Sequence, residues 1–194
     1  MRKKEISRST AETSISLDFS IDGTGTTDIK TGVGFFDHML TAFTKHGLFD
    51  LKVRCDGDIE VDQHHTVEDI GIVLGQAFNE SIGAKEGIER YATVSVPMDE
   101  ALSTVSLDIS GRSFLVYNVD GLKDKVGEFD TELVEEFFHA FTSHAKVTLH
   151  INLAYGKNTH HIIESIFKAF GRALRVASTI NPEVKGIPST KGLL

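Results

Sequence analysis

Cysteine, proline, positive charge and long apolar runs are all scarce in this 194-residue chain. The single cysteine, Cys55, excludes an intramolecular disulfide and makes a reducing compartment the natural expectation. Lying in an alternating apolar segment, it reads as a small buried hydrophobe and not as a nucleophile. Three prolines, 40% hydrophobic and 25% charged residues are an ordinary globular composition with no sign of long disorder. Twenty Lys and Arg stand against 28 Asp and Glu, a net charge of −8. That balance argues against general affinity for nucleic acid or an anionic membrane. Any anionic ligand must therefore meet a local cluster of cations. No apolar run approaches the roughly 18 residues a membrane helix needs. The basic start Arg2-Lys3-Lys4 is not followed by the apolar stretch of a signal peptide. The chain reads as cytoplasmic, with length enough for one domain or two small ones around a real core.

What is present is repetition. Ser16-Leu17-Asp18-Phe19-Ser20 recurs 90 residues later as Ser106-Leu107-Asp108-Ile109-Ser110, and Ala42-Phe43-Thr44-Lys45-His46 recurs 98 later as Ala140-Phe141-Thr142-Ser143-His144. His64-His65-x-x-Glu68-x-Ile70 recurs 96 later as His160-His161-x-x-Glu164-x-Ile166, followed in both copies by Gly-x-Ala (Gly75, Ala77; Gly171, Ala173). Four matches in the same order make residues 1–90 and 91–194 two half-repeats of one unit. Alternation at Ile15, Leu17, Phe19 and at Val105, Leu107, Ile109 predicts strands. Helical spacing follows at Phe36, Met39, Leu40, Phe43 and at Leu133, Phe137, Phe141. Strands from Leu51 to Cys55 and from Leu149 to Leu153 come next. Long helices from about His64 to Gly83 and from about His160 to Ser178 close the halves, and Tyr91–Val96 and Phe114–Val119 read as further strands. The expectation is an α+β fold of β-α-β-α halves, with a sheet on one side and helices on the other.

Residues three and four apart share a helix face, so Glu68 can join His64 or His65, and Glu164 can join His160 or His161. Imidazole plus carboxylate suits Mn, Fe, Zn and similar divalent ions. A single His-His-x-x-Glu is more simply a solvated helix start; two copies at equivalent places point to metal. His38 and Glu136 lie at equivalent positions on the preceding helices and are competent ligands. Eight groups result: His38, His64, His65, Glu68, Glu136, His160, His161 and Glu164. Two ions with four protein ligands each fit them better than one crowded ion. Repeat symmetry suggests His38, His65, Glu68 and His160 on one ion, and Glu136, His161, Glu164 and His64 on the other, with neighbouring subunits as another source of ligands. His46 and His144, at helix ends, read as carbonyl-capping groups.

Whole stretches of the chain resemble the imidazoleglycerol-phosphate dehydratase family. They are Arg8-Ser9-Thr10-Ala11-Glu12-Thr13, Gly34-Phe35-Phe36-Asp37-His38-Met39-Leu40, Asp62 to Asp69, Pro97-Met98-Asp99-Glu100, Ser110-Gly111-Arg112, Asn158 to Glu164 and Pro188-Ser189-Thr190-Lys191-Gly192. The resemblance implies a ribosomal protein S5 domain 2-like fold and dehydration of D-erythro-imidazoleglycerol phosphate to imidazole-acetol phosphate in histidine biosynthesis. It also implies two Mn²⁺ per subunit and a 24-subunit homo-oligomeric shell. It makes Glu12 the acid/base group, beside catalytic roles for His38, His65, Glu68, His161 and Glu164. Arg90, Arg112, Lys168, Ser189 and Lys191 become the groups that bind the substrate and its phosphate. The chain departs from the common pattern at Gln63 (usually Asp), Thr190 (usually Ser), Ala42 (often Gln) and Glu136 (often His). Two other classes compete on residues alone. A dinuclear metallohydrolase would not need the whole-chain match, and a metal-storage shell protein would be all-helical with the motif order reversed.

Overall fold

The computed structural model describes residues 2–194. The first half runs β1 (Lys3–Ser9), β2 (Thr13–Ser20), β3 (Thr27–Lys30), α1 (Gly34–Gly47), β4 (Asp50–Gly57) and α2 (His64–Ile82). The second runs β5 (Tyr91–Met98), β6 (Ala101–Asp108), β7 (Phe114–Asn118), a hairpin of β8 (Lys125–Val126) and β9 (Phe129–Asp130), α3 (Leu133–Ala145), β10 (Thr148–Tyr155) and α4 (Thr159–Ser178). The sheet orders, β1-β2-β4-β3 and β5-β6-β10-β7, are the same, and in each the third strand lies parallel to the last. Each sheet buries one face. Ile15, Leu17, Phe19, Leu51 and Val53 in one, and Val105, Leu107, Leu149 and Ile151 in the other, are almost wholly removed from solvent.

Within each half the helices cover that buried face, as the periodicity predicts. The halves then meet helix against helix, α1 on α4 and α2 on α3, so the helices lie between two sheets and not beneath one. Strands β1 and β3 escape sequence reading. β1 has one apolar residue, Ile6, among polar ones, and β3 is four residues with Ile29 alone. Pairing also corrects the repeat. Phe19 pairs with Leu51 and Leu107 with Leu149, so β2 and β6 correspond at a separation of 88 residues and not 90. A two-residue slip keeps every strand residue on its own face, which is why both alignments look apolar in the same places. The β8–β9 hairpin then widens the separation to the 98 of α1 and α3.

The crossings are set by glycine. A Cβ on Gly171 would stand 2.3 Å from the Phe43 carbonyl oxygen, and one on Gly75 would stand 2.6 Å from that of Phe141. These are reciprocal contacts of repeat-equivalent residues. Around them phenylalanines fill the interface: Phe43 stacks on Phe170 at 5.1 Å, and Phe141 meets Phe170 edge-on at 5.0 Å. Among the described residues no helix is long and apolar enough to cross a membrane. Gly171→Ala and Gly75→Ala should each cost about 1–3 kcal/mol by overpacking against backbone. Gly34→Ala, which meets nothing within 4 Å, should change stability by less than about 0.5 kcal/mol. Denaturant unfolding of the metal-free protein checks both values.

Candidate metal centre and anion cavity

Both His-His pairs sit in the first turn of a long helix. Asp62 accepts from the His64 backbone N–H at 2.8 Å, and Asn158 accepts from that of His160 at 2.9 Å and of His161 at 3.3 Å. These acceptors satisfy amides that lack partners at a helix start and fix where the imidazoles emerge.

The crossing of α1 over α4 assembles one compact cluster. The ligand atoms of His38, His160 and Glu164 all lie within 4.8 Å of one another. His38 Nε2 is 3.4 Å and His160 Nε2 3.2 Å from the same oxygen, Glu164 Oε2. The other oxygen accepts from Lys168 Nζ at 2.7 Å. Burial pushes the Glu164 carboxyl up, but Lys168 and then His38 outweigh it, and the net shift is down from the ordinary 4.5. The cluster brings His160 to His38 across the two halves and adds Glu164 to them. Within this chain it is Glu164, and not His65 or Glu68, that stands beside His38, because α4 packs on α1 while α2 packs on α3.

The other candidates are arranged more openly. His64 Nε2 is 3.7 Å from Glu68 Oε2. Glu136, half-buried in the first turn of α3, makes no side-chain hydrogen bond or ion pair among the described residues. The second histidines turn away from both groups. His65 places Nδ1 at 3.1 Å from each Asp58 carboxylate oxygen and Nε2 at 3.6 Å from Glu12 Oε1. His161 places Nδ1 at 2.8 Å from Glu100 Oε2 and Nε2 at 3.8 Å from Asp99 Oδ2. The His161 ring, then the Asn158 backbone N–H, hold the Glu100 carboxyl down to about 2. Glu12 itself rides on a turn tied to α2. Thr10 Oγ1 accepts from the Glu12 and Thr13 amides, Thr13 donates to the buried Asp69, and Arg8 pairs with Asp69 at 2.9 Å. Sequence reading missed Asp58, Glu100 and Asp69 as partners of the site. Asp58 lies in a polar loop and Glu100 in a turn, which periodicity cannot place, while Asp69 resembles a surface acid until its burial is seen. His144 Nδ1 donates to the Ala140 carbonyl, 2.9 Å away, one turn back within α3.

A separate cavity of about 770 Å³ is lined by Arg90, Arg112, Ser189 and Lys191 with Ser110 and Gly111. It joins four of the five groups that the resemblance assigns to phosphate. Arg90 is largely committed, donating to Asp108 at 2.8 Å and to the Pro188 carbonyl at 2.7 Å, so within this chain it anchors the segment that carries Ser189 and Lys191. Arg112 and Lys191 have no carboxylate partner within ion-pair distance among the described residues. Lys168 is absent from this cavity, its charge spent on Glu164.

Fold and cluster define a duplicated α+β protein with a histidine–carboxylate centre fit for a divalent metal at the start of α4, and a cationic cavity at the other end of that helix. The family model described as imidazoleglycerol-phosphate dehydratase matches residues 31–174. The imidazoleglycerol-phosphate dehydratases of Oceanobacillus iheyensis and Caldanaerobacter subterraneus are 67% and 59% identical to the chain over 194 residues, with all of each protein covered. The crystal structure of the Staphylococcus aureus enzyme is 47% identical, covering 92% of this chain and 99% of that one, with a TM-score of 0.84. The Pyrococcus furiosus enzyme, solved in complex with (S)-C348, is 38% identical, covering 97% and 100%, with a TM-score of 0.84. The chain belongs to the imidazoleglycerol-phosphate dehydratase family, and is thereby an enzyme of the hydro-lyase class.

The Glu164–Lys168 pair gives a pH test in the metal-free protein. A carboxyl whose folded value is lowered stabilises the fold above 4.5, and that contribution is lost as pH falls through the folded value. Lys168→Met removes the larger of the two causes that oppose burial, leaving His38 alone, and so raises the Glu164 carboxyl and takes away that stabilisation. The variant should be less stable than wild type at pH 7, and the gap should close as pH falls below 4.5. Thermal unfolding across pH measures it.

Proposed function

We propose that this enzyme dehydrates D-erythro-imidazoleglycerol phosphate to imidazole-acetol phosphate in histidine biosynthesis, using two Mn²⁺ per subunit within a 24-subunit shell. The observation that carries the metal part is the triad of His38, His160 and Glu164, in a chain of this family. Two imidazole nitrogens and a buried carboxylate oxygen within 4.8 Å are a donor set suited to a divalent first-row ion. In this reading those three hold one ion. Their repeat equivalents Glu136, His64 and Glu68 hold the other. His65 and His161, turned away from these groups, complete ions shared with neighbouring subunits. Residues 1–90 and 91–194 thus act as halves of one catalytic unit. Cys55, with no disulfide partner in the chain, suits a cytoplasmic enzyme.

The reaction removes the hydroxyl from the carbon attached to the imidazole and a proton from the carbon beside it. The enol so formed becomes the ketone. No carbonyl acidifies that proton, so bound metal supplies the Lewis-acid charge that favours the electron-rich, deprotonated imidazole. The protein supplies the rest. Glu12, presented by its anchored turn at the edge of His65, moves the proton. Arg112, Lys191 and Ser189 of a neighbouring subunit hold the phosphate, because within one chain their cavity lies at the far end of α4 from His160. Arg90 keeps their segment in place through Asp108 and Pro188.

Stripping metal with chelator should abolish formation of the ketone, and Mn²⁺ should restore it. If ligands cross between subunits, the same treatment breaks the shell into smaller particles, because metal-binding energy is then also association energy. Product analysis with light scattering checks both. Release of inorganic phosphate in place of a ketone would favour the metallohydrolase reading. Glu12→Gln should keep full metal content while turnover falls by about two orders of magnitude or more. Arg112→Ala and Lys191→Ala should raise KM with metal stoichiometry unchanged. Metal analysis and steady-state kinetics on the three variants test the assignment.

A further inference from the structure

The second histidine of each motif differs from the other imidazoles of the site in one respect: its Nδ1 carries a carboxylate. For His65 this is Asp58, with both oxygens at 3.1 Å, and for His161 it is Glu100 at 2.8 Å. His38, His64 and His160 instead turn Nε2 toward a glutamate of the cluster or its equivalent. A carboxylate accepts only, so Nδ1 must be the protonated nitrogen of His65 and His161. The lone pair then sits on Nε2, where each ring could donate to an ion.

The two carboxylates do not come from equivalent places, and the register explains why. With β2 and β6 related by 88 residues, Glu100 in the β5–β6 turn is the repeat counterpart of Glu12 in the β1–β2 turn. The shared turn position puts a carboxylate on opposite edges of the two rings: Glu12 near Nε2 of His65, Glu100 on Nδ1 of His161. Glu100 is further committed to the N–H groups of Lys157 and Asn158 at the start of α4. In the first half the Nδ1 position falls to Asp58, on a β4–α2 connection three residues longer than its β10–α4 counterpart.

We propose that Asp58 and Glu100 are positioning residues that fix the Nδ1–H tautomer of His65 and His161, and that Asp58 thereby releases Glu12 from this duty. The proposal rests on the metal-binding reading above. Asp58 is the cleaner test, since among the described residues its side chain bonds to His65 alone while Glu100 also holds backbone.

The full-length protein, stripped by chelator, is titrated with Mn²⁺ and free ion is followed by electron paramagnetic resonance. Asp58→Ala should weaken Mn²⁺ binding by about 10–100-fold. Asp58→Asn, which keeps an acceptor for Nδ1–H, should recover most of it, and Glu100→Gln should behave likewise against Glu100→Ala. Histidine-selective ¹⁵N shifts of the stripped protein give a second readout: wild-type His65 should be the Nδ1–H tautomer, with Nε2–H gained in Asp58→Ala. Unchanged affinity and unchanged ring shifts in Asp58→Ala overturn the proposal. Wild type that binds no Mn²⁺ would overturn the metal reading instead, and the ring shifts would still decide the tautomer.

Discussion

The close approach of α4 to α1, with Gly171 against the Phe43 carbonyl, is the contact on which the rest of the structure depends. A methyl group there has no room, so glycine sets how near the helices lie. The α1–α4 approach in turn sets where the first turn of α4 delivers its histidines relative to His38. The stacked Phe43 and Phe170 rings lock the same crossing from within the core. Its repeat counterpart, Gly75 against Phe141, does the same for α2 and α3. Neither half contains the metal cluster by itself. His38 comes from one, His160 and Glu164 from the other, and packing between the halves makes the site.

Much of this was legible in the chain. The doubled His-His-x-x-Glu, the doubled Gly-x-Ala after it and the alternating Ile15, Leu17 and Phe19 are strong periodic signals, and the elements formed where those signals lay. The strands that escaped notice, β1 and β3, are mostly polar, and pattern reading depends on apolar contrast. The register of β2 against β6 was two residues out because a period of two cannot tell 88 from 90. The grouping of ligands could not be read from spacing. It depends on which helix crosses which, and that choice is made by backbone contacts of glycine that leave no mark on the histidines.

Charge is managed locally in this acidic chain. Glu164 is buried, and burial alone would favour its neutral form; Lys168, one turn on, keeps it ionised and able to act as a ligand. Lys168 therefore serves the His38–His160–Glu164 cluster within the chain, a pairing that spacing did not foretell. The cationic cavity gathers Arg112 and Lys191, neither in an ion pair among the described residues, while Arg90 gives its charge to Asp108 to hold the cavity wall. A net charge of −8 coexists with an anion site because screening leaves only near neighbours to matter.

The two halves have diverged most where chemistry is expected. Glu12 and Glu100 occupy equivalent turns, yet one faces the edge of a histidine where a ligand would sit and the other is bound into the start of α4. Glu136 stands where His38 does, so the two ions would see different donors. The central claim is that an ion sits between the halves. Anomalous scattering at the manganese edge, from crystals of the Mn²⁺-loaded protein, tests it most directly. The account predicts a peak in bonding range of His38 Nε2, His160 Nε2 and a Glu164 carboxylate oxygen. Manganese bound only at other residues, with those three groups uncoordinated, would contradict it.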